Sequence, residues 1–112
     1  ARKRWLASHS KTCGTFIIDQ GAVEAIKTQG RSLLPVGVVG VHDSFERGDI
    51  VRIESVEGQH IATGLTNYGS VAASQMSGKT TKQLKIIQLL SESAALVHRD
   101  NMALMQTGDS KV

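Results

Sequence analysis

Hydrophobic positions change their rhythm several times along this chain, and each change predicts an element. Cys13-Gly14-Thr15-Phe16-Ile17-Ile18 is a short apolar, β-rich run that reads as a strand. Asp19 stands where a helix N-cap belongs, ahead of Ala22, Val23, Ala25 and Ile26 at helical spacing. Gly30 closes that helix, with Lys27 near its negative end and Arg31 just beyond. Val36 to Val41 is almost wholly apolar and predicts a strand buried on both faces, its glycines marking bulges or close backbone approach. From Asp49 to Val56, Val51 and Ile53 alternate with Arg52 and Glu54; Glu57-Gly58 turns the chain, and Ile61, Thr63 and Leu65 alternate on the way back. Small polar residues over 70–78 predict a short helix ending at Gly78, and Leu84, Ile87 and Leu90 share one face of another. Ala95 to Met105 reads as the last strand, and 106–112 as a polar, frayed tail. About five strands with two or three short helices make a β-rich α+β domain with a barrel-like sheet. Ile17, Val23, Ile26, Val38, Val41, Ile53, Ile61 and Leu65 are its expected core, and Phe16 and Phe45 also read as core residues.

Composition narrows the class. At 112 residues, 40% hydrophobic and 21% charged, the chain is an ordinary single globular domain. No apolar run approaches the length of a membrane span, so no membrane partner is expected. A single cysteine, Cys13, excludes an internal disulfide framework and a thiolate zinc cage. Nothing argues for secretion, and a cytoplasmic location is expected. The net charge of +3 divides unevenly: residues 1–11 carry +4, 12–78 carry −3 and 79–112 carry +2. A whole-domain basic field of the nucleic-acid-binding kind is therefore not shown. Arg2 to Arg4 fit a basic linker (1–11) from a preceding domain or, as the alternative, an arm for anionic partners; the domain proper is then 12–105.

The short motifs are weak. Gly78-Lys79-Thr80 has the end of a phosphate loop, but position 73 is alanine where a glycine is needed; a helix cap and a solvated lysine explain it better. His98-Arg99-Asp100 matches a kinase catalytic loop in three letters, without the asparagine five residues on, where Met105 stands. His9, His42, His60 and His98 fall in different elements, whereas metal sites usually take two ligands from one. Four aromatic residues, Trp5, Phe16, Phe45 and Tyr68, leave little for base stacking. Taken alone, these residues describe an α+β module that binds something or regulates a neighbour.

The order of segments is more telling. Gly14 to Val23, Ser32-Leu33-Leu34-Pro35-Val36-Gly37-Val38, Phe45 to Ile53 and Ile61 to Tyr68 together resemble a PUA domain. Arg2-Lys3-Arg4-Trp5-Leu6 and Val97 to Met102 resemble the borders of the PUA domain that ends the bacterial glutamate 5-kinases. The resemblance spans residues 2–105 and implies a PUA-like pseudo-barrel. It also implies a parent enzyme that transfers the γ-phosphoryl group of ATP to the side-chain carboxylate of L-glutamate, in the first step of proline synthesis. In that family ATP, magnesium and glutamate belong to an amino-terminal amino-acid-kinase domain, so no catalytic, cofactor or metal residue is carried over to this chain. The implied partners are that kinase domain, further copies of the parent in a homo-oligomer, and RNA, which PUA domains often bind; the alternative is an RNA-binding PUA module of an RNA-modification or translation-related protein. Segment 69–81 departs from the family pattern through Gly69, Val71-Ala72-Ala73 and Thr80-Thr81. By motif, an RNA or anion groove would involve Gly21, Ala22, Lys27, Gly30, Arg31 and Ser32, with Arg99 and Asn101 opposite. The competing reading is that Gly21 and Gly30 bound a helix while Lys27 and Arg31 satisfy its carboxyl end.

Overall fold

The computed structural model describes residues 12–86 and 95–104. The expected linker 1–11, the helical positions Ile87 and Leu90, and the tail 106–112 lie outside the described residues.

Five strands form one mixed sheet: β1 (Gly14–Ile18), β2 (Val38–His42), β3 (Ile50–Ser55), β4 (His60–Thr66) and β5 (Val97–Leu104), in the order β2-β1-β3-β4-β5. β1 runs parallel to β3, and the other neighbours are antiparallel. Helix α1 (Gln20–Gln29) follows β1, α2 (Ser70–Met76) follows β4, and α3 (Thr81–Ile86) precedes β5. A 3-10 turn, Pro35–Gly37, leads into β2. The two edges of the sheet are joined by one stretch of chain. Leu33 bridges Val97 at the start of β5, and the same stretch continues into β2. This tie makes the sheet barrel-like.

Local signals explain most boundaries. The Asp19 side chain accepts a hydrogen bond from the Ala22 amide at 2.8 Å and starts α1. Gly30, at φ 63°, ends it in the left-handed region. The β3–β4 hairpin turns at Gly58, φ 88°, and the buried Ser55 hydroxyl accepts from the Glu57 and Gln59 amides. α3 opens with a reciprocal cap that the sequence reading did not draw: the Gln83 amide donates to the Thr80 hydroxyl, and the Thr80 amide to Gln83 Oε1.

The core forms around Phe16, which meets Phe45 edge-to-face at 5.5 Å, with Ile18, Val51, Ile53 and Ile61 beside it. Val23 and Ile26 cover it from α1, Met76 from α2 and Leu84 from α3. Four expectations need correction. Ile17 is only half-buried because Gly14, Phe16 and Ile18 take the inner face of β1. Leu65 is half-buried where the β4–β5 register shifts between Gly64 and Thr66, and Val41 packs only partly against the core. The stretch 36–41 is not a strand buried on both faces. Its first residues form the 3-10 turn, and β2 is an edge strand that leaves Val39 57% exposed.

Candidate binding groove

The loop leaving α1 helps to build two adjoining hollows on the described surface. After Gly30, residues 31–34 double back beside the helix. They are pinned to β5 and the residue before it by three hydrogen bonds: Leu33 N to Val97 O (2.9 Å), Leu96 N to Leu33 O (2.8 Å) and Arg99 N to the Ser32 hydroxyl (2.8 Å). The far end is pinned to the start of α1, where the Asp19 amide donates to Gly37 O at 2.9 Å. Gly37 passes so close to the helix that a Cβ there would lie 2.6 Å from Ala22 Cβ. Only glycine allows that approach.

Between the helix and this segment lies a trough of about 300 Å³. Asp19, Gly21 and Ala22 line one end and Arg31 and Ser32 the other, with Ala25, Leu34 and Val36 along the walls. A second hollow of about 110 Å³ adjoins it, lined by Ile26, Gly30, Arg31, Arg99, Asp100 and Met102 among others. Ile26 and Arg31 line both.

Of the positions expected by motif, Gly21, Ala22, Arg31 and Ser32 therefore line the trough, and Gly30, Arg31 and Arg99 the second hollow. Lys27 is exposed in the last turn of α1 and Asn101 is half-buried on β5; neither lines either of these two hollows. The chemistry is more apolar than the sequence suggests. Leu34 and Val36, overlooked as site residues, contribute exposed carbon, and the Leu33-Leu34-Pro35-Val36 run was the signal for it. The Ala22 amide, which an anion could have used, is taken by the Asp19 carboxylate.

Other chemistry-bearing residues stand apart. His60 is half-buried on β4, its Nε2 within 3.0 Å of Ala62 O and 2.8 Å of the Thr63 hydroxyl. Burial, helped by the Arg52 guanidinium, pushes its pKa below the usual histidine value. Arg52 pairs with Glu54 at 2.7 Å, and His98 Nδ1 lies 3.5 Å from the Asp100 carboxylate. Lys79 donates its amine to Gln75 O at the end of α2. Cys13 is exposed. Among the described residues, no three His, Cys, Asp or Glu side chains gather as a metal site would need, and no helix is long and apolar enough to cross a membrane.

A family model described as the PUA domain matches residues 14–87. A glutamate 5-kinase from Pseudomonas putida is 43% identical over 105 residues, 94% of this chain and 28% of its own length. The glutamate 5-kinase of Chromohalobacter salexigens gives the same figures, and that of Variovorax paradoxus is 39% identical over 106 residues. The chain thus spans 28% of the length of these curated relatives. Among solved structures, a PUA domain from Aeropyrum pernix, in a tartrate complex, superposes with a TM-score of 0.54 at 28% identity, covering 78% of this chain and 43% of that one. The archaeal box H/ACA sRNP Nop10–Cbf5 complex contains a chain with a TM-score of 0.54 at 19% identity, covering 79% of this chain and 26% of its own, a likeness of fold alone.

Proposed function

The chain belongs to the PUA domain family, and from that premise we propose that it is the non-catalytic PUA domain of a glutamate 5-kinase, acting on that enzyme's regulation or assembly. The observation that carries the reading is the identity of 43% along 94% of this chain, against relatives of which it makes up 28%. Phosphoryl transfer needs a magnesium-bound nucleotide, donors around the transferred group and a positioned acceptor. The described residues supply no such set. Lys79 and Thr80, the nearest thing to a phosphate loop, are engaged in the junction between α2 and α3. The likeness to the glutamate 5-kinases is the ground for assigning ATP, magnesium and L-glutamate to an amino-terminal amino-acid-kinase domain of the same cytoplasmic, homo-oligomeric enzyme. A domain without reacting groups alters rate by changing stability or by biasing a conformational equilibrium.

The deciding comparison is turnover and proline inhibition in the complete enzyme and in one lacking this domain, both checked for folding. Turnover should persist, while proline inhibition, metal requirement or assembly changes. A folded truncation without turnover would mean that this domain completes the active site.

The second reading is RNA binding along Gly21, Ala22, Lys27, Gly30, Arg31, Ser32, Arg99 and Asn101. The approach of Arg31 and Arg99 around one hollow favours it. Binding of that kind falls steeply with salt as phosphates are neutralised, and Arg31→Ala with Arg99→Ala should weaken it. Affinity that ignores salt would count against it.

A further inference from the structure

The trough beside α1 has two unlike ends. One is closed where Gly37 meets Ala22. Its walls are mostly carbon, the Asp19 carboxylate at that end accepting from the Ala22 amide, and Leu34 and Val36, 44% and 48% exposed, keep that carbon reachable from solvent. The other end opens at Arg31 into the hollow that holds Arg99. The cations there are uncommitted. Arg31 Nε donates to the neutral Gln29 side chain, and Arg99 has no ion-pair partner among the described residues. Asp100, in the same hollow, stands beside His98.

Size and charge together select the occupant. The ten residues of α1 extend about 15 Å at a rise of about 1.5 Å each, which matches about four or five extended residues. A nucleic acid strand fits this shape poorly, because no aromatic side chain lines either hollow for a base to stack on. We propose that the trough docks an extended segment of a partner protein. A leucine- or isoleucine-type side chain fills the closed end, and carboxylates about four residues away along the segment meet Arg31 and Arg99. The proposal rests on the preceding reading only in giving the domain a binding role; it adds the surface and the chemistry of the partner.

The test uses the 112-residue chain and fluorescein-labelled peptides, read by anisotropy. One peptide carries two leucines at one end and glutamates about four residues on; a second interleaves the same residues. An oligouridine strand is the third probe. Val36→Asp charges an exposed wall without entering the core, Ala25→Leu narrows the trough, and Arg31→Glu with Arg99→Glu reverses the mouth. Circular dichroism and sedimentation check fold and mass. The patterned peptide should bind at least about tenfold more tightly than the interleaved one, with Val36→Asp and the arginine pair each losing about tenfold. Equal binding of the two peptides overturns the proposal, as does indifference to Val36→Asp. Preference for the RNA strand, or self-association that Val36→Asp abolishes, assigns the trough to another occupant and overturns it too. The truncation assay on the parent enzyme does not depend on these results, so either reading can fail alone.

Discussion

Replacing Gly64 by alanine tests whether β5 is held where the groove needs it. A Cβ on Gly64 would lie 2.6 Å from Val97 Cγ1, 2.7 Å from Asn101 O and 3.3 Å from Met102 Cα. A valine methyl can rotate away, but a carbonyl and a Cα move only with their strand. Gly64 pairs with Met102, and the register shifts between Gly64 and Thr66, so β5 would have to lift from β4 at this point. Overpacking of this kind costs about 1–3 kcal/mol, the upper part of which applies when backbone must move. Alanine recovers about 0.4–1 kcal/mol by restricting the unfolded chain, leaving a net loss of about 1–2 kcal/mol. Gly58→Ala is the control: open space surrounds the position, but φ is +88°, so its cost is backbone strain alone. Equilibrium urea unfolding measures both losses, and amide exchange locates them. Gly64→Ala should speed exchange at Leu33 and Arg99, whose amides are bonded across the tie between loop and β5. Gly58→Ala should not. A loss under about 0.5 kcal/mol, with exchange unchanged at those amides, would refute the close approach.

Three further outcomes follow from the same contacts. Ile53→Ala, at a fully buried site on β3, should cost about 2–5 kcal/mol in urea melts, and a cost below about 0.5 kcal/mol would remove Ile53 from the core. Asp19→Ala deprives the Ala22 amide of its acceptor and should cost about 0.5–2 kcal/mol; Asp19→Asn, which keeps an oxygen, should recover most of it. His60 has a pKa below the ordinary 6.5, so in acid the unfolded chain binds the proton first. Its contribution to stability is complete above pH 6.5 and is lost as the pH falls through 6.5 toward its own lower value. His60→Gln should flatten the stability profile over that range, and parallel profiles for the two proteins would disprove the assignment.

Much of the scaffold was legible because short-range chemistry decides it. Asp19 and Gly30 mark the ends of α1 by cap geometry that depends on neighbours a few residues away. The β3–β4 hairpin follows from alternation on both sides of Gly58. Faces were harder. Phe16, Ile17 and Ile18 are all apolar, so periodicity could not say which side of β1 turns inward; the contact with Phe45, far along the chain, decides it. The run from Val36 to Val41 misled for a related reason. An apolar stretch predicts burial only when something covers it, and the sheet order puts β2 at an edge.

Six of the eight residues expected by motif line the two hollows, but the apolar character of that surface was not legible. Ser32 and Arg99, 67 positions apart, meet because the Leu33–Val97 bridge closes the sheet. No local pattern announces that bridge. The cations invited an anion-binding reading, but the loop that delivers Arg31 to the mouth also lays Leu34 and Val36 along the wall. The same segment thus ties the sheet edges and shapes the binding surface. A ligand spanning Arg31 and Arg99 would cross that tie, and one that prefers the closed sheet must stabilise it by its differential affinity. Through such linkage, occupancy on this face would bias the closure of the sheet edges, which is how a binding event here would be passed on.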